Sequence, residues 1–255
     1  MRRSRLLVTG LALVMAGVLG TTACTDDANT DTTELVVFAA SSLTNAFVEI
    51  GESFTEAHPD VRVTFNFAGS GDLVTQITQG APADVFASAD DSNMTKLIDA
   101  GENAGEPVAI AKNTFQIIVE PGNPTGVADL ADLADPALIV VLCADTVPCG
   151  KGAATVLSNA GVTVTAKSME DKVKGVVTKV TTGEADAGIV FVTDVIAAGD
   201  LADGVEIPAE INVISNFPIV VTKAAPNAAA AQAFIDFVAS AEGQAILASY
   251  GFLAP

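Results

Sequence analysis

The residues with most to offer chemically are hydroxyls placed where strands give way to helices. Val37-Phe38-Ala39-Ala40 is an apolar run suited to a buried strand, and it ends in Ser41 and Ser42. Leu43, Ala46, Phe47, Ile50 and Phe54 then recur at helical spacing, so the two hydroxyls stand at a strand-to-helix junction. Ser70 repeats the arrangement in Gly69-Ser70-Gly71-Asp72-Leu73, directly after the strand-like Val61-Arg62-Val63-Thr64-Phe65-Asn66-Phe67. A serine at such a junction caps the helix with its oxygen. The same place offers free backbone N–H groups and the positive end of the helix dipole, which together attract an anion. Two such turns suggest a pocket for an oxyanion, and plain helix capping is the competing reading.

Catalytic chemistry is poorly supplied. His58 is the sole histidine, and it precedes Pro59 in a polar turn, which reads as a solvated surface position. A serine hydrolase needs a base and a Gly-x-Ser-x-Gly elbow, and Ala68-Gly69-Ser70-Gly71-Asp72 lacks the first spaced glycine. Gly150-Lys151-Gly152 does not supply the Gly-Lys-Ser/Thr of a phosphate loop. Asp84, Asp90 and Asp91 fit turn and N-cap roles better than paired catalytic acids or a cation site. Met169-Glu170-Asp171 reads as a first helical turn whose acids complement the dipole. The expectation is a binding protein without cofactor or bound cation, not an enzyme.

The ends and the charge narrow the setting. Arg2, Arg3 and Arg5 precede an apolar stretch from Leu6 to Leu19, too short for a membrane span, as in an export signal. Thr21-Thr22-Ala23 before Cys24 resembles a bacterial lipoprotein cleavage site, although Thr21 departs from the usual aliphatic residue. The reading is a signal peptide over 1–23 and a lipid-anchored tether over 24–33, polar and without period. Net charge is −19, and loss of the three arginines would make the exported chain more acidic still. Nucleic acid is therefore excluded as a partner, since phosphate backbones need basic stripes. A small anion is not excluded, because local dipoles and hydroxyls rather than net charge can hold it. With Cys24 acylated, Cys143 and Cys149 remain, an even count that favours a disulfide in an exported domain.

The elements that must position these groups alternate. Strand-like runs at Glu34–Ala39, Val61–Phe67, Asp84–Ala89, Val108–Ala111, Thr114–Val119, Ala137–Leu142, Ala187–Phe191, Val205–Ile207 and Asn212–Thr222 interleave with helical patterns. The helical patterns cover Leu43–Ala57, Asp72–Gln79, Asn93–Ala100, Lys151–Asn159, Glu170–Thr182, Ala228–Ala239 and Glu242–Ser249. Such alternation predicts an α/β fold with mostly parallel sheets and ligand sites at the carboxyl ends of strands.

Taken together, Val37-Phe38-Ala39-Ala40-Ser41-Ser42-Leu43-Thr44, Phe67-Ala68-Gly69-Ser70-Gly71 and Gly80-Ala81-Pro82-Ala83-Asp84-Val85-Phe86-Ala87-Ser88-Ala89-Asp90 carry a resemblance. Val147-Pro148-Cys149-Gly150, Gly188-Ile189-Val190-Phe191 and Tyr250-Gly251-Phe252 extend it to the end of the chain. In order and spacing the chain resembles the periplasmic molybdate-binding proteins of ABC importers. The resemblance implies a two-lobed, type II periplasmic-binding-protein-like fold, each lobe a mostly parallel sheet flanked by helices, with two crossover segments. It implies one lobe over 34–113 and 214–255 and a second over 114–213, with Thr114–Glu120 and Phe217–Lys223 as strands crossing between them. The implied ligand is molybdate or tungstate, with another small oxyanion such as sulfate or phosphate as the alternative. The implied partners are an ABC permease and, through the lipid anchor, the membrane at its extracytoplasmic face, with the protein a monomer. Residue by residue, Ser42 and Ser70 match the family's hydroxyl donors, and Cys149 stands where alanine is usual and offers its backbone N–H. Val173 matches a second backbone donor at a helix start. Phe191 falls where many members carry a tyrosine whose hydroxyl reaches the ligand, a bond phenylalanine cannot make, and Thr193 is a candidate local substitute.

Overall fold

The computed structural model describes residues 32–255, so the export signal and Cys24 lie outside the described residues. Two five-stranded sheets organise the chain. In the first, β1 (Thr33–Ala40) lies between β2 (Val61–Ala68) and β3 (Val85–Ala87), parallel to both, with Val37 opposite Phe65 and Val85. β4 (Asn103–Asn113) completes the edge through β10 (Ser215–Thr222), which runs antiparallel to both β3 and β4. In the second sheet β6 (Val140–Cys143) is parallel to β7 (Ser168–Glu170) and β8 (Ala187–Phe191). β5 (Phe115–Val119) is antiparallel to β8 and to β9 (Asp203–Glu206).

Each sheet is mixed but mostly parallel, four strands sharing one direction and β10 or β5 running against them. The reason is topological: β10 and β5 are the strands by which the chain enters one sheet from the other, and each arrives opposed to its neighbours. The strands of the expected crossings are therefore embedded in the sheets, and the chain passes between them just before Phe115 and just before Ser215. Asn212 ties these passages together, its Oδ1 accepting from Phe115 N at 3.0 Å and its Nδ2 donating to Phe115 O at 2.8 Å.

Helices cover the sheets: α1 (Thr44–Ala57), α2 (Ser70–Thr78), α3 (Asp91–Asp99), α4 (Pro148–Ala160), α5 (Val173–Thr181), α6 (Val192–Ala198), α7 (Ala228–Ala239) and α8 (Ala241–Ser249). α1 buries Ala46, Phe47, Ile50 and Phe54, the stripe its sequence period dictates. Phe54 also stacks on His58 at 4.4 Å, so the histidine is a half-buried helix end rather than a free surface group. Four phenylalanines run through the zone between the sheets. Phe115 lies 4.6 Å from Phe191, Phe191 5.6 Å from Phe217, and Phe217 5.3 Å from Phe252. Glu170 belongs to β7, where it pairs with Cys143 and holds Lys179 at 2.6 Å, so the 169–171 group is a strand end and not a helical turn. A long helix pattern beginning at Glu170 concealed that short strand, because three residues leave no alternation to detect.

Candidate functional site

Between the sheets lies a narrow cleft. Ser42, Ser70, Cys149, Val173 and Phe191, scattered through the sequence, all line it. The carboxyl ends of β1, β2 and β8 reach it, as the α/β pattern requires.

Neither serine caps a helix. The cap positions are Ala40 and Gly69, one residue before each serine turn, and Ser42 sits inside a short 3-10 turn (Ser41–Leu43) while Ser70 opens α2. The hydroxyls are therefore not consumed locally. Ser42 Oγ is buried with no hydrogen-bond partner. Ser70 is fully buried, and its Oγ accepts from Ala89 N at 3.1 Å, which leaves its own proton to donate elsewhere.

Five helical segments start at this cleft, and their cap residues Ala40, Gly69, Val147, Lys172 and Phe191 all line it. None spends a side chain on its helix. By contrast, Asp90 caps α3 by accepting from Asn93 N at 2.8 Å, and Ser240 caps α8. The first N–H groups of a helix have no intrahelical partner, so Cys149 and Val173, second and first residues of their helices, turn unspent donors to the cleft. The arrangement can solvate a compact anion with neutral hydroxyls and N–H dipoles, each far stronger in a dry site than in water.

Backbone from the two sides meets around the cleft. A methyl group on Gly69 would stand 2.5 Å from Asp171 O and 3.0 Å from Val147 Cγ1. Lys151 of α4 reaches across to Asp90 Oδ2 at 3.0 Å and also bonds Ser92. Cys143 and Cys149 are joined by a disulfide, which closes the loop between β6 and α4 against the cleft wall. Just past that loop, Gly150 of α4 packs so tightly on Ala144 O that no side chain fits.

Other groups do not point to the cleft. Thr193 is not among the residues that line the cleft, and its Oγ1 accepts from Asn113 Nδ2 at 2.8 Å, so it does not stand in for a tyrosine hydroxyl there. Asp84, buried, accepts from Val36 N and Asn227 N and so joins β1 to the start of α7. Asp194 is buried beside Lys174 Nζ at 3.1 Å, with neither oxygen in a well-directed hydrogen bond, and burial pushes its carboxyl up while the lysine opposes the shift. Sequence reasoning missed Ala89 and Lys172 as lining residues. Lys172 had a signal, since a helix cap is ordinarily a small polar residue and a lysine there is out of place.

A family model described as a bacterial extracellular solute-binding protein matches residues 35–253. The chain belongs to that family. This solute-binding protein is 42% identical to the molybdate-binding protein ModA of Mycobacterium tuberculosis over 221 residues, covering 87% of the chain and 85% of the relative. A solved substrate-binding domain of a putative molybdenum ABC transporter from Clostridium difficile is 29% identical, with a TM-score of 0.65 and coverage of 88% of this chain and 99% of that one. The Azotobacter vinelandii periplasmic molybdate-binding protein shares the fold with a TM-score of 0.77 at 22% identity, covering 87% and 99%. Its extracytoplasmic place and two-lobed fold follow from the family.

Proposed function

We propose that this protein captures molybdate between its lobes and delivers it to an ABC permease. The observation that carries the reading is the buried Ser42 hydroxyl without a partner, in a cleft ringed by uncapped helix starts. An unpartnered buried polar group costs about 1–3 kcal/mol, a cost that a bound oxyanion removes. The 42% identity to a molybdate-binding protein supports the same ligand. Ser42 and Ser70 donate O–H bonds, and Cys149 and Val173 donate backbone N–H bonds. Phe191 closes the wall as an apolar face, so this protein binds with one donor fewer than relatives with tyrosine there. Tungstate shares the size and charge of molybdate and is bound nearly as well.

We read the lobes as 34–113 with 214–255, and 114–213, hinged at the passages joined by Asn212. Ligand binding draws them together, and the Lys151–Asp90 pair fastens the mouth. No group in the cleft is arranged as nucleophile and base, so the bound anion is released unchanged. The chain acts as a monomer held at the membrane through Cys24, the permease taking the anion when the lobes part.

Sulfate is smaller, and a cleft closed around longer metal–oxygen bonds leaves its donors short of contact at about 1–3 kcal/mol each. Titration calorimetry with molybdate, tungstate, sulfate and phosphate tests the assignment. Molybdate and tungstate bind tightest if it holds, and tighter sulfate or phosphate binding overturns it.

A further inference from the structure

The donors assigned above are all neutral, yet the ligand is a dianion and the chain carries −19. Acids crowd the rim as well. Asp72 lies in the first turn of α2, its Oδ2 3.3 Å from where a Gly69 methyl would stand, and the exposed Asp171 precedes Lys172. The other lysines of α4 and α5 are committed. Lys151 is paired with Asp90, Lys174 with Asp194 and Lys179 with Glu170. Lys172 is different. It lines the cleft, it is half-buried, and among the described residues no carboxylate stands within ion-pair distance of it and no side-chain hydrogen bond holds it.

We infer that Lys172 is the charge selector of this cleft, the cation that makes it prefer a dianion to a monoanion of the same size. The inference rests on the oxyanion reading and deepens it. Hydroxyls and N–H dipoles fix size and tetrahedral shape, and they favour any anion. A full positive charge acts in proportion to the charge it meets, so it separates a doubly from a singly charged ligand of one geometry. Distant surface acids are screened within about 8 Å at physiological salt, whereas the charge of a half-buried lysine that lines the cleft is screened much less. Lys172 also precedes Val173, so any lobe movement carries the charge together with that donor.

Tungstate and perrhenate supply the test, because they are tetrahedral oxyanions of nearly equal size carrying two and one negative charges. In Lys172→Gln the affinity for tungstate should fall about tenfold and that for perrhenate only about threefold, since the lost attraction scales with ligand charge. Lys172→Arg should keep the parent's ratio, and Lys172→Met should repeat the glutamine result. Melting temperatures of the ligand-free variants should match the parent, because the ammonium holds no partner. Equal losses for the two anions, or an unchanged tungstate affinity, overturn the charge-selector role. Failure of the unsubstituted protein to bind tungstate or molybdate at all overturns the oxyanion reading instead.

Discussion

The two cleft serines differ in what else they do, and substitution separates the roles. Ser42→Ala removes a donor that nothing in the fold uses, so ligand affinity should drop roughly ten- to hundredfold, from a charged hydrogen bond worth about 1.5–3 kcal/mol. Its melting temperature should hold or rise. Ser70→Ala should weaken binding similarly, but it also strips the buried Ala89 N–H of its acceptor, at about 1–3 kcal/mol of stability. Calorimetry and thermal melts together distinguish the two patterns, and parent-like binding in both variants would place the ligand elsewhere. Phe191→Tyr should tighten molybdate binding about tenfold or more by restoring a donor, with Phe115 and Phe217 still holding the ring. Equal or weaker affinity rejects the missing-donor account. These serines were legible as an anion turn from residue type and position alone. Their freedom from capping was not, because one residue of offset decides whether a hydroxyl faces its own helix or the cleft.

Among elements, the helix starts carry the design and two features hold them in place. The Cys143–Cys149 disulfide closes a short loop, so reduction or a double serine variant should cost about 2 kcal/mol of stability by the chain-entropy estimate. It should also weaken molybdate binding, since the Cys149 N–H is then free to wander, and calorimetry with and without reductant checks this. Gly69 has ordinary extended backbone angles, so alanine there is unstrained in itself. Its methyl group nevertheless meets Asp171 O at 2.5 Å when the two sides are together. Gly69→Ala should leave the ligand-free melt unchanged and lower affinity strongly, a separation that a mere folding defect would not show. The helix periods of α1, α7 and α8 were plain in the sequence. The seven-residue α6 and three-residue β7 were not, being too short for a period to emerge.

Across the whole molecule, the phenylalanine series from Phe252 to Phe115 forms a continuous apolar link between the sheets. Phe217 stands at its centre, fully buried, and Phe217→Ala should cost about 3–5 kcal/mol in denaturant unfolding. The buried Asp194 adds a pH signature. Its folded-state pKa is raised by burial, so the penalty for ionising it is absent below the ordinary carboxylate value of 3.8, grows as pH rises through the raised value, and stays constant above. Relative to the parent, Asp194→Asn should therefore gain stability on going from pH 4 to pH 7. A parallel pH profile for the two proteins would show that Lys174 fully offsets the burial.

Sequence alone determined the α/β class, the position of both serine turns and the kinship with solute-binding proteins, because apolar period, turn residues and motif order are local properties written along the chain. Only the tertiary structure decided that Ser42, Ser70, Cys149, Val173 and Phe191 line one cleft, that β5 and β10 enter their sheets reversed, and that Lys172 stands there without a partner. Those outcomes depend on how two sheets face each other, and contacts between residues tens of positions apart leave no period for a local pattern to carry.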